Sequence, residues 1–100
     1  MASSIDTKKN EEIVKELITS YWMELETVQN YIAASTNLAG VRAQEIKESL
    51  ATDIDSELGH ARRLAKRIHI LGGTVPGSKG FRASQETLQP PADARDVVSV

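Results

Sequence analysis

Glu57, Leu58, Gly59 and His60 carry the strongest chemical signal in this chain, because the carboxylate interrupts an otherwise apolar helical row. Ile46, Leu50, Ile54, Glu57, Ala61, Leu64, Ile68 and Leu71 follow one another in steps of four and three, the spacing of side chains that face one neighbouring helix. Glu57 is the only charge in that row. An ionised carboxylate facing a helix interior is costly unless it is paired, hydrogen-bonded or bound to a metal. His60, three residues on, points to nearly the same side, so one helical turn offers an oxygen and a nitrogen ligand to a single point.

The elements that must position these groups are two helices. The spacing predicts a first helix over residues 10–39, with Asn10 as its N-cap, Glu11 and Glu12 in the first turn, and a seam of Val14, Ile18, Tyr21, Leu25, Val28 and Ile32. Gly40 reads as its stop. A second helix is expected over residues 41–71, ended by Gly72 and Gly73, so that the pair forms an antiparallel hairpin with a tight turn. In a hairpin turning between Gly40 and Val41, residues lie level when their numbers sum to 81, as 24 and 57 do. Glu24 and Glu57 then both stand about 25 Å from the turn at about 1.5 Å per residue. Glu24, Glu57 and His60 are thereby a candidate metal site.

Residues 72–95 have a different character, with four of the six glycines and all three prolines. Without a period of their own they suit a crossover, and 24 extended residues could span up to about 80 Å. Phe81 and Leu88 are its candidate anchors. Residues 96–100 read as the start of a third helix, and Trp22 as a helix-packing residue.

One hundred residues make at most one small domain, and a net charge of −2 offers no basis for a nucleic-acid partner. The second helix carries Glu45, Glu48, Asp53, Asp55 and Glu57 early and Arg62, Arg63, Lys66 and Arg67 late, an order that complements the helix dipole and needs no charged partner. Asp53 reads as a solvated acid and His69 as a cation at the helix end. The absence of cysteine leaves no disulfide framework and no thiolate ligand. The polar first ten residues lack a signal-peptide core and no run reaches the roughly 18 apolar residues of a membrane span. The expectation is a cytoplasmic protein with no membrane partner.

Three segments together resemble the bacterioferritin and ferritin-like di-iron carboxylate proteins: Glu24-Leu25-Glu26-Thr27-Val28-Gln29-Asn30-Tyr31, Asp53-Ile54-Asp55-Ser56-Glu57-Leu58-Gly59-His60-Ala61, and Ile70-Leu71-Gly72-Gly73. The interval from Glu24 to Glu57 also fits, and the resemblance covers about residues 10 to 76. It implies an all-α fold, half of a four-helix bundle followed by a long crossover, in which each half gives one Glu and one Glu-x-x-His to a two-iron centre. By that resemblance Glu24 and His60 are terminal ligands, Glu57 bridges, and Tyr31 is a nearby hydrogen-bond donor or electron source. Leu58 stands where haem-binding bacterioferritins carry Met, so haem is not expected. The implied cofactor is a di-iron centre, with manganese as the alternative metal.

The resemblance implies Fe(II) oxidation for iron storage or detoxification, with a peroxide-reducing di-iron protein sharing the same ligands. The competing reading is a helical module that only oligomerises. Both predict self-association to at least a dimer or a longer parent chain, since one hairpin leaves apolar residues such as Leu17 in need of cover, and the iron reading also requires a second ligand set from another chain or from sequence beyond Val100.

Overall fold

No glycine or proline interrupts the chain before Gly40, so nothing in the backbone halts a helix once it has begun. In the computed structural model, which describes residues 4–40 and 42–90, this stretch forms helix α1, Ser4–Asn37. The helix therefore begins six residues before the expected start. Asn10 is not its N-cap. It lies inside α1 and donates from Nδ2 to the Leu71 carbonyl at 2.8 Å, serving one of the carbonyls that a helix C-terminus leaves without a partner.

Helix α2, Ala43–Ile70, starts two residues later and ends one residue earlier than the spacing predicts. Its start has no side-chain cap, and Glu45 supplies the first-turn carboxylate while Arg67 and His69 occupy the last turn. Its end is a Schellman motif. Gly73 N–H donates to Ile68 O at 2.9 Å and Gly72 N–H to His69 O at 3.0 Å, with Gly72 at φ 84°. The turn between the helices uses Gly40 at φ 114°, a conformation open to glycine at little cost.

The two helices pack along the expected seam. Val28, Ala61 and Ile68 are buried, Ile68 completely, and Leu38 and Ala43 close the turn end. Val14, Ile18, Tyr21 and Leu25 are half-buried, as are Ile46, Leu50, Ile54, Leu64 and Leu71. Ile32 departs from the seam. It is 49% exposed, although the period places it on the buried face.

The crossover does not reach out from the hairpin. It folds back along α1, with Leu71 against Asn10, Gly80 against Trp22, and Ser84 and Gln85 against Glu26 and Thr27. From Asn10 to Thr27 this covers about 26 Å of helix at about 1.5 Å per residue, far less than the extended length. Two 3-10 turns, Ser78–Gly80 and Glu86–Leu88, shorten it. Phe81 and Leu88 are both half-buried, and the second turn packs on α1. Trp22 correspondingly meets the crossover at Gly80. Residues 91–95 of the crossover and the expected helix start at 96–100 lie outside the described residues. The described residues are all-helical apart from turns and connections, and none of their helices is long and apolar enough to cross a membrane.

Candidate metal centre

The hairpin brings Glu24 of α1 level with Glu57 and His60 of α2. One ligand atom from each lies within 4.8 Å of the other two. His60 Nδ1 stands 3.8 Å from Glu24 Oε2 and 3.8 Å from Glu57 Oε2, so the imidazole sits between the two carboxylates. The side chains are 27%, 25% and 43% exposed for Glu24, Glu57 and His60, which leaves the cluster open to an ion from solvent.

Bond lengths show how closely this suits a metal. With metal–ligand bonds of about 2.1 Å, neighbouring ligand atoms lie about 3.0 Å apart in an octahedron and about 3.4 Å apart in a tetrahedron. The observed 3.8 Å is wider by less than 1 Å, within reach of small side-chain rotations. Glu24 Oε2 supplies the stronger observation: this oxygen is buried and accepts no hydrogen bond. Its one protein counterpart is His60 Nδ1 at 3.8 Å, too far for a hydrogen bond, so the oxygen keeps its lone pairs free for an ion. Two carboxylates and one imidazole form a donor set of the kind that iron and manganese accept, and their two negative charges match one divalent cation.

A cleft of about 420 Å³ opens beside Glu24 and His60, walled by Leu17, Ser20, Leu64 and Arg63 among others. Tyr31 stands two helical turns beyond Glu24, about 10 Å along the axis. Half-buried, it makes no hydrogen bond to the three clustered residues. Asp53 and His69 are exposed and outside the cluster.

Glu26 belongs to a different construction, which the pattern of apolar residues did not reveal. Two residues along a helix is a rotation of about 200°, so Glu26 faces away from Glu24 and toward the crossover. It is 3% exposed and accepts hydrogen bonds from the N–H groups of Ser84 and Gln85 at 2.9 Å and from the Ser84 hydroxyl at 3.2 Å. The Gln85 N–H is the main influence holding its carboxyl below the ordinary range, against desolvation and together with Ser84. Thr27 adds to the clamp, its hydroxyl lying 2.9 Å from both Met23 O and Gln85 Oε1. The available sequence signal was the run of polar residues at positions 26, 27 and 30, all buried in the fold.

A family model described as a ferritin-like domain matches residues 14–99, nearly the whole chain. The chain belongs to the ferritin-like domain family. Its helical hairpin is accordingly a ferritin-like helical fold, and the cluster at Glu24, Glu57 and His60 lies within the matched residues. No curated protein and no solved structure matches this ferritin-like chain.

Proposed function

We propose that this ferritin-like chain binds Fe(II) through Glu24, Glu57 and His60 and, with a second ligand set, oxidises it for iron storage or detoxification. The observation that carries the reading is the meeting of two carboxylates and an imidazole at one level of the hairpin, with Glu24 Oε2 buried and without a hydrogen bond. Glu24 and His60 bind from opposite helices and fix the ion between them. Glu57, one turn from His60, would hold the ion with them and, as the ferritin-like resemblance implies, serve the second ion as well. Each Fe(II) gives up one electron, and dioxygen or a peroxide takes the electrons from two such ions.

One hairpin supplies three protein ligands, too few for a coupled pair of ions. The second Glu and Glu-x-x-His therefore come from another copy or from further sequence. Ile13, Met23, Ile32, Leu58 and Ile70 are large apolar side chains left exposed on the hairpin, which fits an association of this kind. Tyr31, about 10 Å along α1 from Glu24, is assigned as an electron donor at a distance. The protein is placed in the cytoplasm, consistent with its lack of cysteine.

The test is Fe(II) oxidation followed by absorbance, beside metal content after purification without added metal. Glu57→Ala is expected to abolish rapid oxidation and lower bound iron while leaving the melting temperature unchanged or raised, because a carboxylate in the seam is removed. Oxidation by the Ala variant at the parent rate would refute the assignment of Glu57.

A further inference from the structure

The flank of α2 that carries His60 continues into two arginines. His60, Arg63 and Arg67 follow in steps of three and four, so they stand on one side of the helix, and both arginines line the cleft of about 420 Å³ beside Glu24 and His60. A Cβ added at Gly59 would lie 3.7 Å from Arg63 Nη1, so this guanidinium folds back along α2 to the turn that carries Glu57 and His60. Ser20 of α1 lines the same cleft. Among the described residues neither arginine has a carboxylate within ion-pair distance, although the chain has 14 acidic residues. Compensation of the helix dipole is confined to the last turn, which holds Arg67 and not Arg63.

We propose that Arg63 and Arg67 bind inorganic phosphate in this cleft, next to the ion held by Glu24, Glu57 and His60, and that anion and cation tighten each other's binding. The inference rests on the proposed metal reading of those three residues. Charge selects the ligand. A divalent ion offsets Glu24 and Glu57, which leaves the two arginines as an uncompensated pair of positive charges for a phosphate dianion. Shape selects it too, because the planar fork of an arginine donates two parallel hydrogen bonds to a pair of phosphate oxygens, and the Ser20 hydroxyl is a further donor. Three protein ligands leave coordination positions on iron or manganese, both of which accept oxygen donors.

Without the ion, the two carboxylates repel an anion, so the site is complete only when the ion is in place. Such coupling is reciprocal: phosphate tightens the metal by the same factor as the metal tightens phosphate. Metal capture by this chain then rises with phosphate. The rival occupant is a carboxylate of the partner that supplies the second ligand set, and the test separates the two.

Mn(II), which air does not oxidise at neutral pH, stands in for Fe(II). Its affinity for the full chain is measured from the electron paramagnetic resonance signal of the free ion, in chloride and in millimolar phosphate at equal ionic strength. Phosphate is expected to tighten Mn(II) at least about fivefold, the lower end of couplings between two ligands. Arg63→Gln together with Arg67→Gln should abolish that gain while leaving the affinity in chloride equal or higher, because two positive charges beside the cation are gone. Both side chains are exposed and Gln is close to Arg in helix propensity, so the fold is retained; should the double variant melt early, Arg63→Gln alone should reduce the gain. No binding of Mn(II) in either buffer would refute the metal site and this inference with it. Mn(II) binding that phosphate leaves unchanged, or a gain that survives the variant used, would overturn the phosphate site alone. Dissociation of an oligomer by the double variant, read by light scattering, would also overturn it, by assigning the arginines to the partner's carboxylate.

Discussion

Gly73 is the point at which the crossover leaves the hairpin, and Gly73→Ala tests how tightly that exit is packed. A Cβ at residue 73 would lie 2.7 Å from Val14 Cγ1, 3.0 Å from Ile68 Cγ2 and 3.2 Å from the Ile68 carbonyl oxygen. Carbon atoms in good contact stand about 3.5 to 4.0 Å apart, so the Val14 methyl must retreat by about 1 Å. Ile68 has little freedom to yield, being fully buried and hydrogen-bonded through that carbonyl to Gly73 N–H. Overpacking of this kind costs about 1 to 3 kcal/mol, and a Gly→Ala change returns about 0.4 to 1 kcal/mol by restricting the unfolded chain. The net loss expected is about 1.5 kcal/mol. For a chain of this size that lowers the melting temperature by roughly 6 to 12 °C.

The double-mutant cycle separates this cause from others. Val14→Ala removes the methyl that the new Cβ meets first, so Gly73→Ala should cost about 0.5 kcal/mol or less in that background, a coupling of about 1 kcal/mol. Thermal and urea melts followed by circular dichroism give the four stabilities. An equal cost of Gly73→Ala in both backgrounds, or a rise in stability from Gly73→Ala alone, would show that residues 14 and 73 are not in contact and would refute the described docking of the crossover.

Two further outcomes follow from the clamps on that segment. Glu26 has its carboxyl pKa lowered in the folded state, so its stabilisation is complete at neutral pH, declines as pH falls below about 4.5, and is lost below the folded value. Trp22 fluorescence should shift to the red across that acid range, and Glu26→Gln should abolish the pH dependence while loosening the crossover at pH 7; an unchanged acid profile in the variant would count against the clamp. Asn10→Ala removes the 2.8 Å bond to Leu71 O and should cost about 1 kcal/mol, whereas Asn10→Asp should cost more, since a carboxylate would face both that carbonyl and the negative end of α2. Equal melting temperatures for Asp and parent would refute this role for Asn10.

What could be read from the sequence was set by periodicity. The row from Ile46 to Leu71 identifies the buried face of α2 because each step keeps the same helical side, and the structure buries Ala61 and Ile68 within it. The level match of Glu24 and Glu57 needs only a tight turn, which Gly40 permits, and the constant rise per residue of two uninterrupted helices. Asn10 misled for a physical reason. Its side chain suits a cap, and it does serve a helix terminus, but that terminus belongs to α2 and lies 61 residues away. Ile32 followed the period and is exposed nonetheless, because a period describes one helix whereas burial depends on what packs against it from elsewhere in the chain. The crossover was illegible for the same reason, since its hydrogen bonds to Glu26 and Thr27 span 58 or 59 residues and leave no local pattern.

Glu24 and Glu26 show how one helix separates two tasks. A rotation of about 200° puts one carboxylate beside His60 and the other beneath the crossover. Glu26 is spent on three donor groups, the N–H of Ser84, the N–H of Gln85 and the Ser84 hydroxyl, whereas Glu24 keeps a buried oxygen without a hydrogen bond. The same rotation restricts the direction from which the second ligand set of the proposed function could come. The crossover occupies the Glu26 side of α1 and α2 occupies the seam, which leaves the side of the hairpin where Leu17, Ser20 and Leu64 border Glu24 and His60. A second pair of helices seated there would cover these residues and bring its own ligands to the cluster in one movement. On the proposed function, burial of the open face and completion of the metal site would be a single event, so association and tight iron binding should appear together.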